Sequence, residues 1–332
     1  MKPRAIVIFT QKFDLDADAT ILRLRSMGQL PARVNYDDSP KETYFDMSFS
    51  GDGRAGRLRT RNREIELGSI RSAYWRAPVG LGAPLGIASS DDAIAYKERN
   101  HAWHGLWSTE DCYWLNSPEC ARRSGWRLSQ LKHASSCGFA VPRTLVTSQA
   151  PEAIAFCDSC GGRVLFRTLS DPLVPQVGEA KAPATPAQVI LPTIVPIEHM
   201  KEGADQIEDA PCFFQEVIGK RLEIRVTVVG EELFVAEIES KEELRSPSDL
   251  ERKDAPISVR KGALSDALQA QCLSLAKAYG LNYAVIDLIL TPEGRYIFLE
   301  INPNGKFIHV EKRASELKIT DAMAACLLRA SN

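Results

Sequence analysis

The stretch NYAVIDLILTPEGRYIFLEIN, residues 282–302, constrains the fold more than any other part of the chain. Two runs of strand-forming residues flank Pro292, Glu293 and Gly294, which is the pattern of a β-hairpin. Each run is apolar enough to be buried, yet each carries an acid, Asp287 in the first and Glu300 in the second. A buried charge is costly unless something pairs with it, so these acids belong either to a structural ion pair or to a cation site. With Leu290 opposite Arg295, Asp287 stands opposite Phe298 and Val285 opposite Glu300. Asp287, Glu300 and Asn302 then fall on one face of the sheet. Two carboxylates and a carboxamide there form a hard-oxygen set suited to Mg2+. Without a cation the two acids repel, and one of them takes up a proton. Asn302, Pro303, Asn304 and Gly305 end the strand in a turn, where glycine tolerates a positive φ.

Upstream, LEIRVTVVG alternates so that Glu223 and Arg225 share a face. An arginine facing a dicarboxylate cation site is suited to hold a transferring phosphoryl group. A plain Arg–Glu ion pair across the sheet is the bland alternative.

The chain of 332 residues is too long for one core, and three regions are expected: 1–122, 123–205 and 206–332. In the first, RAIVIFT, a helix ending at Gly28 and ARVNYD form a βαβ unit. YFDMSFS, REIELGSI and SAYWRAP follow as strands and DDAIAYKERNHAWHGLW as a helix. This region has no G-x-G-x-x-G or P-loop pattern for nucleotide phosphate. In the second, RSGWRLSQLKHASSCG and PEAIAFCDSCGG read as helices, alternating with strands FAVPRTLVTS and RVLFRTL. Asp171 to Pro196 is rich in Pro, Ala and Val and reads as an irregular functional loop or mobile hairpin. In the third, CFFQEVI, RLEIRVTVVG and EELFVAEIES are strands, and SDALQAQCLSLAKAYG is a helix closed by Gly280.

A formal net charge of -2 gives no global field to recruit nucleic acid or an anionic membrane. Arg54, Arg57, Arg59, Arg61 and Arg63 cluster locally, either on a solvated face or as a patch for an anionic partner. The opening MKPRAIVIFTQKFD turns polar too soon for a signal peptide, and no run is long enough to span a bilayer. A cytoplasmic protein with reduced cysteines is expected. Cys157 and Cys160 form a CxxC without a second pair at zinc-ligand spacing, and read as helix thiols. His101 and His104, flanked by Trp103 and Trp107, read as a helix interface rather than metal ligands.

FFQEVIGKRLEIRVTVVGEELFVAEIES, followed by AVIDLILTPEGRYIFLEINPNGKF, resembles the ATP-grasp fold. Within it the chain is most similar to the maturases of microviridin-type ribosomal peptides, the graspetides. SAYWRAP resembles their W-x-R-x-P segment, and WRLSQLKHASSCGFAVPRTLVTS their central helix and strand. The resemblance implies a mixed α/β fold: an N-terminal pre-ATP-grasp α/β domain, a central α/β subdomain and a C-terminal antiparallel-sheet subdomain. It implies an ATP- and Mg2+-dependent ligase that activates Asp or Glu side chains of a precursor peptide as acyl phosphates, then closes ω-esters or ω-amides. The peptide's leader would dock on the enzyme, and a homodimer is in keeping with the family.

By position, Asp287, Glu300 and Asn302 would hold Mg2+, and Arg225 would lie over the γ-phosphate. Gln215, Glu216, Val217 and Ile218 would line the adenine, with Glu223 near the nucleotide. Two family lysines that contact phosphate are here Arg127 and Arg167, which keep the charge in a planar fork. The family's Asp-Trp-Arg is represented only by Asp249-Leu250-Glu251, with Arg245, Arg252 and Arg260 as substitutes for its cation. Two other readings remain open: a ligase for amino acids or another small carboxylate, and a degenerate member that binds without turnover.

Overall fold

The computed structural model describes residues 5–38, 41–51, 53–76, 90–170, 190–240 and 257–329. The chain opens with β1 (Ala5–Thr10), α1 (Leu15–Ser26) and β2 (Ala32–Asn35), and β1 and β2 are parallel, as the βαβ reading expects. β1 is buried at every residue because it lies inside the sheet, between β2 and a later strand. A continuous apolar run suits such a position. α1 starts where the Asp14 carboxylate accepts the N–H groups of Asp16 and Ala17.

β3 (Tyr44–Ser50), β4 (Gly53–Thr60) and β5 (Arg63–Glu66) form an antiparallel meander. The arginine cluster thus lies on and beside β4, a strand that its charge concealed in the sequence. Four of its five arginines pair with acids, Arg57 and Arg59 with Glu64, Arg61 with Glu42, and Arg54 with Glu110, while Arg63 donates to the Leu30 carbonyl. β6 (Ile70–Trp75), α2 (Ser90–Ser108) and β7 (Tyr113–Leu115) complete the parallel sheet in the order β2-β1-β6-β7.

The helix expected over RSGWRLSQLKHASSCG is two, α3 (Pro118–Ser124) and α4 (Arg127–Ser136). The break falls at Gly125 and Trp126, which makes Arg127 the first residue of α4. Next come β8 (Thr144–Thr147), α5 (Ala150–Ser159), β9 (Arg163–Arg167) and β10 (Thr193–Pro196). β10 pairs antiparallel with β9, so the end of the expected irregular loop is a strand; residues 171–189 lie outside the described residues. α6 (Ile197–Glu202) and α7 (Ala204–Glu208) lead to β11 (Cys212–Glu216). β11 joins the sheet ordered β10-β9-β11-β8, not the strands that follow it.

The last sheet is antiparallel, in the order β14-β13-β12-β15-β16. Its strands are β12 (Leu222–Val229), β13 (Glu232–Ser240), β14 (Ile257–Lys261), β15 (Tyr283–Leu290) and β16 (Tyr296–Asn302). α8 (Asp266–Tyr279) covers one face, over Ile224, Val226, Val228, Ile286 and Leu288. Ser265 caps its start, and Gly280, at φ 69°, closes its end in the left-handed conformation expected there. α9 (Ile308–Arg313) and α10 (Ile319–Arg329) pack against part of the other face, around Val229, Tyr283 and Val285, and tie it to α1 and β6 of the first sheet. What remains of that face carries the polar side chains.

All eight cysteines are free; Cys157 is buried in a small core of α5–α7 and the β9–β11 sheet. His104 lies beside Trp75 within the α2 interface, and burial lowers its pKa. Among the described residues no helix is long and apolar enough to cross a membrane.

Candidate functional site

Arg225, Asp287 and Glu300 stand in one row across β12, β15 and β16, each directly opposite the next. Asn302 lies opposite Val285, one row further along and on the same face. The structure therefore brings the expected cation-ligand set together. It does so through a different register, in which Leu290 faces Tyr296 and Asp287 faces Glu300. The expected pairs Leu290–Arg295, Asp287–Phe298 and Val285–Glu300 are not formed, because the ladder shifts between Asp287 and Leu288. Phe298 faces Leu288 and enters the α8 core, so Leu299 is the extra residue of a bulge. Without the bulge Phe298 and Glu300 would share a face, which would force either the ring into the polar site or the acid into the core.

Both carboxylates are held by arginines. Arg225 makes a two-pronged pair with Asp287, Nε to Oδ1 and Nη2 to Oδ2, each 2.8 Å. Burial works against the Arg225 charge, but Asp287 outweighs it and raises the guanidinium above its ordinary range. Glu300 Oε2 accepts from Arg167 Nη2 at 2.6 Å and from Arg127 Nη1 at 3.1 Å. Arg127 Nε also donates to the Thr168 carbonyl, which holds the first residue of α4 against the end of β9. Burial raises the pKa of Glu300, yet Arg167 and Arg127 more than offset it and bring the acid from 4.5 to about 2. Burial and the neighbouring Arg167 cation lower the pKa of Arg127. The two arginines are thus like charges held together by one acid.

The residues present suit a metal–polyphosphate ligand. Three guanidinium groups against two carboxylates leave one net positive charge. Arg167 Nε is buried with no hydrogen-bond partner, an orphaned donor that an added phosphate oxygen would satisfy. No group of three His, Cys, Asp or Glu side chains suited to a metal exists among the described residues. A cation here would rely on two carboxylates, Asn302 and phosphate oxygens, which is how Mg2+ commonly binds.

The other expected residues divide. Gln215 is buried in β11, and its amide donates to Thr144 Oγ1, so its side chain is engaged inside the sheet. The Glu216 carboxylate accepts the Arg143 N–H at 2.8 Å. Val217 and Ile218 lie half-buried in the link from β11 to β12, where the two sheets meet. Glu223 is on the Arg225 face, and its carboxylate pairs with Lys220 at 2.8 Å. Arg260 is excluded as the substitute cation: opposite Glu237, it lies on the other face from Arg225 and pairs with that acid. Arg245, Arg252 and Asp249-Leu250-Glu251 lie outside the described residues. Gly305 does not adopt a positive φ. It is required for space, since a Cβ there would lie 2.4 Å from the Val285 side chain.

The sequence did not single out the buried polar residues around the loop after β16. Asn116, Tyr283 and Asp16 contact its backbone, and Gln130 contacts that of Ile301 just before it. An amide following the apolar YWL and an acid inside the first turn of a helix were the available signals.

No protein-family model and no curated protein sequence matches the chain. Solved structures do. Macrocyclase MdnC of Microcystis aeruginosa MRC, bound with precursor peptide MdnA, superposes at a TM-score of 0.84 with 26% identity, covering 98% of this chain and 100% of that one. A RiPP-associated ATP-grasp ligase of Chryseobacterium gregarium, in complex with ADP and a leader and core peptide, gives 0.83 at 23% identity, over 99% of this chain and 98% of that one. ATP-grasp ligase PsnB, complexed with minimal precursor, Mg and ADP, gives 0.73 at 19% identity, over 98% and 97%. The chain has the ATP-grasp fold, and the solved structures it is similar to include a macrocyclase and RiPP-associated ATP-grasp ligases.

Proposed function

We propose that this protein is an ATP-dependent ligase that activates Asp or Glu side chains of a ribosomal precursor peptide and closes ω-ester or ω-amide rings. The observation that carries the reading is the row Arg225–Asp287–Glu300, met from the other side by Arg127 and Arg167. Its structural relatives include a macrocyclase bound with its precursor peptide and a ligase with ADP, leader and core.

Asp287, Glu300 and Asn302 would hold Mg2+, which supplies charge neutralisation at the phosphates. Arg127 and Arg167 would hold the nucleotide phosphates, and the orphaned Nε of Arg167 is one donor ready to do so. Val217 and Ile218 would flank the base from the link between the sheets, with Glu216 and Gln215 supporting them and Glu223 near the nucleotide. In the reaction a substrate carboxylate oxygen attacks the γ-phosphorus and ADP leaves, giving an acyl phosphate. A hydroxyl or amine then attacks the carbonyl, loses its proton and expels phosphate. Arg225, locked to Asp287 in a planar fork, offsets charge on the phosphoryl group in the first step and on the departing phosphate in the second. The work is positioning and electrostatics, and no nucleophilic side chain is needed. Eight free thiols fit a reducing compartment, and we place the protein in the cytoplasm.

Mass spectrometry of a candidate precursor incubated with the protein, ATP and Mg2+ tests this reading. Loss of one water per ring, with matching ADP release, is expected. ADP release with an unchanged peptide mass would transfer the chemistry to another acceptor, and no ADP release with any acidic peptide would overturn the ligase.

A further inference from the structure

The end of β16 and the loop that leaves it are gripped at alternate residues by buried polar side chains from four separate parts of the chain. Gln130 of α4 donates to the Ile301 carbonyl at 2.9 Å and accepts the Ile301 N–H at 3.3 Å. Asn116, which follows β7 and is fully buried, donates to the Pro303 carbonyl at 3.1 Å and to the Tyr283 carbonyl at 2.7 Å. The same amide accepts the N–H groups of Asn282 and Tyr283. The Tyr283 hydroxyl, from β15, donates to the Gly305 carbonyl. Asp16 of α1 accepts the N–H groups of Phe307 and Ile308, at 2.8 and 2.7 Å. Its other oxygen takes Arg76 Nη2 at 3.1 Å, and Arg76 Nε holds Asp14 at 2.7 Å.

The odd-numbered backbone from 301 to 307 is therefore fixed, while Glu300 and Asn302 between the gripped positions share the face of Asp287 and Arg225. Asn302 is further turned by its own loop, since its Oδ1 accepts the Asn304 N–H at 2.8 Å. Gly305 sits against Val285 without room for a Cβ, which closes the remaining freedom. The same segment buries the side chains of Ile301, Phe307 and Ile308. A loop held by apolar packing would leave these carbonyls and N–H groups unpaired inside the protein.

We infer that Asp16, Asn116, Gln130 and Tyr283 are positioning residues that hold Asn302 in place for the metal, so that the N-terminal sheet region takes part in cation binding. This rests on the proposed Mg2+–nucleotide site. Residues that orient ligands of a metal typically change its affinity by about 10- to 100-fold when removed. The binding of Mn2+, followed by electron paramagnetic resonance of the free ion in the presence of AMPPNP, tests the inference on Tyr283→Phe and Asp16→Ala. Both variants should bind Mn2+ about tenfold or more weakly than the wild type, with AMPPNP binding in EDTA unchanged. Unchanged Mn2+ affinity, or an equal loss of metal-free AMPPNP binding, would overturn it. Should Asp16→Ala not fold, Tyr283→Phe, which removes one hydroxyl, decides the matter alone. A wild-type protein that binds no Mn2+ with AMPPNP would instead remove the site itself.

Discussion

Asp287 and Glu300 face each other across β15 and β16 because Leu299 bulges out of the ladder between Glu300 and Phe298. The bulge allows adjacent stretches of one strand to serve opposite needs. Phe298 is fully buried against the α8 side, and Glu300 is presented to two arginines on the other.

Glu300 is the acid that Arg127 and Arg167 share among the described residues, so its removal leaves two partly buried cations repelling each other. Glu300→Ala should abolish ATP-dependent turnover, and lose about 2 kcal/mol of stability from two charge-assisted hydrogen bonds. ADP release and thermal denaturation check the two effects separately. Full activity in that variant would remove Glu300 from the metal set.

Arg127 holds Glu300 and Thr168 and would turn to phosphate when nucleotide binds. Arg127→Ala should weaken AMPPNP binding by about tenfold or more, the loss of one strong charge-assisted contact. Arg122→Ala is the control, since among the described residues that side chain pairs with Glu119 on the exposed face of α3. Equal affinities in calorimetry would show that Arg127 makes no phosphate contact.

The Glu300 pKa carries a pH signature. The folded value, about 2, lies below the ordinary 4.5, so the acid stabilises the fold fully above about 4.5. That contribution is lost as the pH falls from there toward 2. Melting temperatures of the wild type and Glu300→Gln should converge over this window and run parallel above it. A constant difference from pH 6 to pH 2.5 would contradict the ion-pair account.

Gly305 is a matter of space, not of backbone angle. Gly305→Ala should therefore destabilise by about 1–3 kcal/mol through overpacking against Val285. Val285→Ala in the same chain should restore much of it, because the clash is with the valine methyls. Denaturant melts of the single and double variants give the coupling, and additive losses would place the strain elsewhere.

Arg225→Lys keeps a charge but cannot make the two-pronged pair with Asp287. Turnover should fall by about 100-fold with KM for ATP changed far less, since the arginine is expected to act on the transferring phosphoryl group. Initial-rate kinetics distinguish this from a KM effect, which would make Arg225 a binding residue instead.

Much of the site was legible in the chain. Period-two alternation put Glu223 with Arg225 and Glu300 with Asn302, because successive strand side chains must point to opposite faces, whereas Asp287 shares the face of Glu300 through the bulge and not through the expected register. Gly280 announced the end of α8 for an equally local reason. The bulge at Leu299 was not legible, since an extra residue shifts register without altering composition. Strand β4 was hidden by its arginines, whose partners lie on other segments.

Sequence by itself determined which residues share a face along an unbulged strand, because that follows from local backbone geometry. Only the tertiary structure decided what meets that face. Arg127 and Arg167 reach Glu300 from 173 and 133 residues away, and Asp16 reaches the loop after it from 291. Such pairings depend on how separate sheets and helices pack, and no local pattern carries that information.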